Sequence, residues 1–443
     1  MSHFEHWHVD RLEVENFRRY QYLGIDLGQQ VTLLIGENGS GKTAVLDALA
    51  VMLGLLVKEL GGVAPGFAAQ DARLIPFNLD SRKGTATLEP TFPVSGHVDA
   101  VVSGEHFSWD KALGSATGRT TWGGRDVRDF AASLARSAVE PEKSRESPAL
   151  LPAIAYYGVE RLLAVRRAQT PIGTSRLAAY DAALDPRSDL KRLSQFVSSL
   201  HEQVLAAEAF GDDDPAGARR QFEAIDLACA QVLAPVGWSG LRWNPLIDAL
   251  TLSHPRHGTL PLEQLATGTK IAAGLTIDLA SRMARANPHL GAQDLLQRTP
   301  GIVLIDEVDL HLHPVWQQRI VPSLRNTFPR IQFVLTTHSP QVISTVEPEN
   351  IRILTDHGVE IPEHSAGLRA NVVLQDLQGV DPAPDVPLRR KLEEYLRLVD
   401  REEGRSRQAI ALRELLDRKL GGAEKNEELV RADAYLTFAD LGD

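Results

Sequence analysis

A glycine-rich segment near the amino terminus has the residue types and spacing that bind phosphate groups. Gly36-Glu-Asn-Gly-Ser-Gly-Lys-Thr43 matches the pattern G-x-x-x-x-G-K-[ST]. The glycines of such a loop let successive backbone N–H groups point at one centre, and the next helix adds the positive end of its dipole. Lys42 would supply a positive charge to the phosphates, and Thr43 a hydroxyl to Mg²⁺. The predicted phosphate-binding residues are Gly36, Asn38, Gly39, Ser40, Gly41, Lys42 and Thr43.

Two further segments end in side chains that complete this chemistry. Ile302-Val-Leu-Ile is followed directly by Asp306 and Glu307. Asp306 is placed to hold Mg²⁺ through water, and Glu307 to orient and deprotonate an attacking water molecule. The apolar segment 331–337 is followed by His338, which could reach a γ-phosphate. A solvated acidic turn and an ordinary turn histidine are the alternatives, and the phosphate-binding loop makes both less favourable.

These side chains need buried strands and helices to position them. Continuous apolar and β-branched segments are typical of strands in a parallel sheet, and a periodicity of 3.6 residues is typical of helices. A hairpin is expected over 93–109 with turns at Gly96 and Gly104, and residues 114–149 are expected to be loop-rich. The predicted buried strands are 31–35, 150–158, 302–305 and 331–336. The predicted helices are 43–60, 190–236 with a break at 211–215, 264–286, and the charged region after Pro384.

Composition excludes several classes of protein. The 443 residues are 43% hydrophobic and 24% charged, which excludes global disorder and collagen-like repeats. A lone cysteine, Cys229, excludes an internal disulfide and favours a reducing cytosol. Residues 1–13 lack the apolar region of a signal peptide, and the apolar stretch 44–57 is too short to span a bilayer. We therefore expect a cytoplasmic protein that does not contact membranes.

The charge balance leaves nucleic-acid binding open. Lys and Arg number 47 against 58 Asp and Glu, a net charge of −11, which argues against a general nucleic-acid binder but permits a local basic patch. One group of arginines could contact nucleic acid or could be ordinary solvated surface. Its members are Arg119, Arg125, Arg128, Arg136, Arg161, Arg166 and Arg167.

The order of these motifs along the chain resembles that of ABC-type ATPases of the SMC and RecF group. The phosphate-binding loop is followed by Leu265-Ala-Thr-Gly-Thr269, then by Asp306-Glu307 and His338. Segments 306–317 and 333–342 are similar to the compact RecF-like ATPases of bacterial antiphage defence, above all to the ATPase subunits of Septu systems. The resemblance implies an α/β, ABC-type P-loop NTPase with a mixed sheet, a largely helical inserted lobe, no long coiled coil and a C-terminal helical tail.

The same resemblance implies domain ranges and an assembly. The expected ranges are 1–110 and 261–380 for the two ATPase lobes, 111–260 for the inserted lobe and 381–443 for the tail. In that family two protomers close head to tail around ATP and Mg²⁺, so the signature residues Thr267 and Gly268 would touch the γ-phosphate bound by a second copy. Ala266 stands where the family has serine. Gln70 is either the glutamine that contacts Mg²⁺ or an ordinary loop residue.

Four functions compete at this point. The chain would be a sensor or regulatory ATPase that controls a partner nuclease of the HNH type, or a RecF-like DNA-repair ATPase that acts directly on DNA. A transporter ATPase is disfavoured because the insertion between Gly36 and Leu265 is too long. A nuclease with its own Toprim domain is disfavoured because no suitable carboxylate set follows His338. His311 and His313 lack a convincing third ligand for a metal.

Overall fold

The computed structural model describes residues 6–80, 85–139, 148–161, 175–187, 190–210, 215–422 and 426–441. Contacts divide the chain into two compact units, Met1–Val373 and Leu374–Asp443. No helix within the described ranges combines the length and the apolar character that a bilayer crossing requires.

The secondary structure follows in chain order. The strands are β1 (Trp7–Phe17), β2 (Tyr20–Asp26), β3 (Val31–Ile35), β4 (Leu74–Asp80), β5 (Thr85–Pro90), β6 (Val94–Val102), β7 (Glu105–Leu113), β8 (Thr120–Trp122), β9 (Ala153–Tyr157), β10 (Ser239–Asn244), β11 (Ala249–His254), β12 (Gly258–Pro261), β13 (Gly301–Ile305), β14 (Ile331–Thr336), β15 (Ile351–Thr355) and β16 (Gly358–Glu360). The helices are α1 (Lys42–Glu59), α2 (Arg125–Val139), α3 (Leu190–Phe210), α4 (Pro215–Val232), α5 (Thr267–Ala286), α6 (Ala292–Arg298), α7 (Pro314–Thr327), α8 (Pro340–Ile343), α9 (Ala370–Val372), α10 (Pro387–Asp400), α11 (Arg407–Leu420) and α12 (Glu427–Leu441).

A mixed sheet forms the centre of the first unit. Its strand order among the described residues is β16-β15-β3-β14-β13-β9. All neighbours are parallel except β16, which runs antiparallel to β15. Every residue of β3, β9, β13 and β14 is buried, as expected for parallel strands covered on both faces. The carboxyl ends of these four strands therefore meet at one edge of the sheet.

Helix α1 lies between this sheet and a second, antiparallel one. The antiparallel sheet has the order β2-β1-β6-β7-β8. Helix α1 contacts β6 in that sheet and β13 and β14 in the central sheet. Residues from Ala44 to Val57 on α1 are buried almost without exception, because apolar side chains face strands on both sides. The helix that follows the phosphate-binding loop is thus fixed in the core of the unit.

The second unit has its own apolar core. Helices α10, α11 and α12 pack around buried side chains that include Leu392, Tyr395, Leu416 and Leu429. Arg413 bonds the carboxylates of Asp417 and Asp433, so it ties α11 to α12.

The expected α/β fold with a mixed sheet is confirmed, and each strand predicted from a continuous apolar segment is present. The hairpin over 93–109 is β6 and β7, but Gly96 lies inside β6 because its missing side chain makes room for Met52. The prediction of a loop-rich 114–149 is wrong for α2, an amphipathic helix that buries Val127, Ala131, Ala135 and Ala138. The small sheet β10-β11-β12 was not anticipated.

The domain ranges drawn from the sequence differ from the observed division. Residues 111–260 do not form one helical lobe, because β9 pairs with β13 inside the central sheet. The break between the two units falls after Val373.

Candidate nucleotide site

The phosphate-binding loop has the backbone conformation that its glycines allow. Gly36, Gly39 and Gly41 have φ angles of 143°, 81° and 97°, a backbone region that residues other than glycine rarely adopt. Lys42 begins α1, and its ammonium group donates to the carbonyl oxygens of Gly36 at 2.9 Å and Glu37 at 3.0 Å. These two hydrogen bonds connect the end of the loop to its beginning.

The environment of Lys42 favours a bound anion. Only 7% of Lys42 is exposed, and burial lowers the pKa of its ammonium group, although the charges of Asp306 and Glu307 act in the opposite direction. The hydroxyl of Ser40, in the same loop, is buried and has no hydrogen-bond partner within the described residues. A buried polar group without a partner costs free energy, which a phosphate oxygen would recover. The loop thus fits a phosphate chain.

The carboxylates that follow β13 lie beside this loop. Asp306 is 3% exposed and accepts a hydrogen bond from the hydroxyl of Thr43 at 2.9 Å. A second hydroxyl, that of Thr336 at the end of β14, also donates to Asp306. Parallel strands bring these groups together although they are far apart in the sequence.

Glu307 has an unusual main-chain conformation. Its φ angle is 47°, in the left-handed region that few residues other than glycine adopt. Its N–H donates to the hydroxyl of Thr336 at 2.7 Å, and its carbonyl oxygen accepts from the guanidinium of Arg161 at 2.7 Å. Strained residues of this kind concentrate at functional sites.

One cavity of about 340 Å³ collects these groups. His338 lies on its wall; burial and then the charge of Lys42 lower the pKa of the imidazole. The lining residues are Arg18, Arg19, Asn38, Gly39, Gly41, Lys42, Thr43, Ala44, Asp306, Glu307, Thr336 and His338. The cavity thus combines basic side chains and loop amides with two carboxylates, an arrangement suited to phosphoryl transfer.

The donor set also fits a magnesium ion. Mg²⁺ prefers hard oxygen ligands and binds through one or two protein groups, water and phosphates. The hydroxyl of Thr43 and the carboxylate of Asp306 are neighbouring oxygens at the cavity wall. Within the described ranges, no group of three or more His, Cys, Asp or Glu side chains is arranged to hold a metal ion.

Sequence reasoning missed two arginines of the cavity. Arg18 and Arg19 form the turn between β1 and β2, and Arg18 binds the carboxylates of Asp47 at 2.5 Å and Asp71 at 3.2 Å. Arg19 binds the carbonyl oxygen of Gly39 and the carboxylate of Asp356. Their adjacency in the sequence, between two alternating strands, was the available signal, but only the folded sheet brings that turn to the loop.

Arg161 was interpreted wrongly. From the sequence it is grouped with arginines that face solvent or nucleic acid. In the structure it is 1% exposed, and its guanidinium donates hydrogen bonds to the main-chain carbonyl oxygens of Asp306 and Glu307. Burial lowers the pKa of its guanidinium to about 10, so the group remains a cation at neutral pH. Arg166 and Arg167 lie outside the described residues.

Five predicted residues do not line the cavity: Gly36 and Ser40 within the loop, and Gln70, Thr267 and Gly268 outside it. Gln70 is exposed on a short helical turn, so its contact with Mg²⁺ stays a prediction. Thr267 and Gly268 begin α5, where Ala266 caps the helix without a side-chain hydrogen bond. Thr267 is exposed, whereas Gly268 is buried. A Cβ atom at Gly268 would overlap the carbonyl oxygen of His311 in the same chain.

Comparisons with known proteins agree with this geometry. A family described as "AAA domain" matches residues 11–195, which include the phosphate-binding loop. Retron Ec83 probable ATPase of Escherichia coli is 40% identical over 165 residues, 37% of this chain and 30% of that protein. Septu protein PtuA of Bacillus mycoides (strain KBAB4) is 28% identical over 187 residues, 40% of this chain and 25% of that protein. The chain therefore matches less than a third of the length of either relative, and the expected resemblance to Septu ATPases is confirmed.

A solved structure also resembles the chain over much of its length. The SMC head domain from Thermotoga maritima has 15% sequence identity and a TM-score of 0.43, and the alignment covers 80% of this chain and 99% of that one.

A second family spans the segments from β8 to α8 and includes Asp306, Glu307 and His338. Its match extends over residues 121–344, just over half of the chain. By this match, the chain belongs to the AAA family described as "AAA domain, putative AbiEii toxin, Type IV TA system".

Proposed function

We propose that the chain binds and hydrolyses ATP. The observation that carries the proposal is the single cavity in which Lys42, Asp306, Glu307 and His338 meet. The loop amides and Lys42 bind the β- and γ-phosphates, and Thr43 and Asp306 hold Mg²⁺, which neutralises phosphate charge when bound. Glu307 accepts a proton as water attacks the γ-phosphorus, and the bond to the β–γ bridging oxygen breaks to release ADP. His338 borders the γ-phosphate position.

We further propose that a second copy completes the site. Ala266 and Thr267 are exposed at the start of α5, and their helix lacks a side-chain cap, so its first N–H groups are available to an anion. They do not line the cavity of their own chain. In a head-to-tail dimer these groups would face the γ-phosphate bound by the partner copy.

The biological role proposed is that of a regulatory subunit in antiphage defence. Relatives that carry the names Septu and retron support this role. In this proposal the nucleotide state of the chain controls a partner nuclease of the HNH type. The cavity supports the nucleotide-dependent part, and the partner rests on the resemblance to Septu systems.

Lys42→Ala is expected to abolish nucleotide binding, because it removes the buried cation at the centre of the loop. The measurement is a titration with a fluorescent ATP analogue. Lys58→Ala removes an exposed lysine from the far end of the same helix and serves as the matched control. Unchanged affinity in Lys42→Ala would contradict the assignment of the loop.

Glu307→Gln is expected to bind ATP and to lose hydrolysis, since the amide keeps the shape of the side chain but cannot accept a proton. Phosphate release and nucleotide binding are measured on the same preparation. Glu105→Gln, an exposed position on β7, is the control for loss of one negative charge. Hydrolysis at the wild-type rate in Glu307→Gln would exclude Glu307 as the base.

Thr267→Asp is expected to block hydrolysis while ATP binding is retained. An aspartate facing a γ-phosphate places like charges a few ångströms apart, a repulsion on the order of 4 kcal/mol at an intermediate dielectric constant. Thr267 is a cleaner position than Gly268, where any side chain would collide with His311 of the same chain. The neutral, similarly sized Thr267→Asn separates charge from shape and should retain more activity.

Mixing protomers tests whether the contact is made in trans. In a mixed dimer of Thr267→Asp and Lys42→Ala, a contact in trans leaves one complete site, formed by the intact loop of one protomer and the intact Thr267 of the other, and places both changes in the second site. We therefore expect the mixture to recover part of the hydrolysis that each variant lacks alone. A mixture with no more activity than the two variants measured separately, or wild-type activity independent of protein concentration across assembly, would contradict the contact in trans.

Co-expression with the product of the adjacent gene tests the biological role. We expect a stable complex with an HNH-type protein whose nuclease activity differs between the wild type and Glu307→Gln. Size-exclusion chromatography and cleavage of plasmid DNA and cellular RNA are the measurements. A neighbouring gene that encodes a membrane permease would contradict the role.

A further inference from the structure

The backbone of Glu307 needs support from outside its own strand. A φ angle of 47° in a residue with a side chain is unfavourable and persists only where surrounding groups determine it. The conformation matters because Glu307 lines the cavity. If this peptide relaxed, the carboxylate would point elsewhere, since the backbone sets the direction of the side chain.

The guanidinium of Arg161 provides much of that support. Its two terminal nitrogens donate to consecutive carbonyl oxygens, Nη1 to that of Asp306 and Nη2 to that of Glu307 at 2.7 Å. Nη1 also donates to the carbonyl oxygen of Gly158 at 3.0 Å. The group therefore ties the end of β13 to the turn that follows β9. Arginine suits this position because its planar fork presents donors in a fixed geometry.

The placement of Arg161 indicates a role at the site rather than general stabilisation. The side chain is 1% exposed, and none of the ion pairs within the described ranges includes it. Its charge is compensated at longer range by Asp306, Glu307 and Asp309. Arg161 does not line the cavity, so any effect on chemistry must act through the main chain of its neighbours.

We propose that Arg161 is a positioning residue for Glu307, one that holds the two carbonyl oxygens and thereby keeps the left-handed peptide that directs the carboxylate into the cavity. The proposal rests on the proposed ATP hydrolysis. It assigns no contact between Arg161 and nucleotide. Loss of Arg161 should therefore slow turnover and spare binding.

The test compares Arg161→Met, Arg161→Lys and the matched control Arg352→Met in the full-length chain. Arg352 is 6% exposed and also donates to carbonyl oxygens, those of Asp26, Glu349 and Ile351, but touches neither carboxylate of the site. The kcat and KM for ATP, the Kd for a fluorescent ATP analogue and the unfolding temperature are measured for each variant. Arg161→Met should lower kcat roughly 10–100-fold, as loss of a group that orients a reactive residue does, with Kd nearly unchanged.

The lysine variant and a double variant make the test specific. Lysine keeps the charge but lacks the fork, so Arg161→Lys should recover part of kcat. Adding Arg161→Met to Glu307→Gln should leave the low residual rate of Glu307→Gln unchanged, because the arginine acts only through that carboxylate. If Arg161→Met does not fold, Arg161→Lys carries the same comparison.

The failing outcomes separate the two proposals. A kcat loss in Arg161→Met no larger than in Arg352→Met, an equal loss of nucleotide affinity, or a further loss in the double variant would overturn the positioning role alone. A wild-type chain that binds ATP without hydrolysing it would overturn the proposed activity, and the positioning role with it.

Discussion

The buried carboxylate of Asp306 is the constraint on which the cavity depends. A charge that is 3% exposed is tolerated only when hydrogen bonds and opposite charges compensate it. Here the hydroxyls come from Thr43 at the start of α1 and from Thr336 at the end of β14, and the cation of Arg161 lies behind the same peptide. Each compensating group belongs to a different element. The phosphate-binding loop, β14 and the turn after β9 must therefore all be in place around Asp306 for its carboxylate to be buried.

The parallel sheet holds these elements next to one another. Strands β9, β13, β14 and β3 are adjacent in space, so their carboxyl ends deliver Arg161, the two carboxylates, His338 and the loop to one edge. A crevice at the carboxyl edge of an open α/β sheet is a common position for ligands. The antiparallel sheet adds the turn with Arg18 and Arg19, and α1, held between the sheets, keeps Lys42 at a fixed depth. Rigid elements thus position the reactive groups.

The signature segment divides into two physical roles. Thr267 is exposed at the start of α5, where no side chain caps the helix. Gly268 is buried against the loop that follows Asp306 and Glu307 in the sequence. That loop contains a second left-handed residue, His311, whose carbonyl oxygen lies where a Cβ of Gly268 would be. The glycine allows close packing of α5 on this loop. A partner that contacts Thr267 would therefore touch the residue next to Gly268, and Gly268 packs directly on the loop that follows the proposed base, Glu307.

The sequence alone determined the local chemistry of this protein. The phosphate-binding loop, the strands of continuous apolar residues and the carboxylates after β13 follow from spacing and hydrophobicity, because backbone and burial preferences act over a few residues. Only the tertiary structure showed that Arg18 and Arg19 line the cavity and that Arg161 is buried beside it. It also showed that Gly268 is buried, and that residues 153–157, expected in the inserted lobe, form a strand of the central sheet. An arginine residue reads the same in the sequence whether its guanidinium lies at the surface or in the core. Which main-chain oxygens it meets depends on strand order, and strand order is set by packing between residues distant in the sequence.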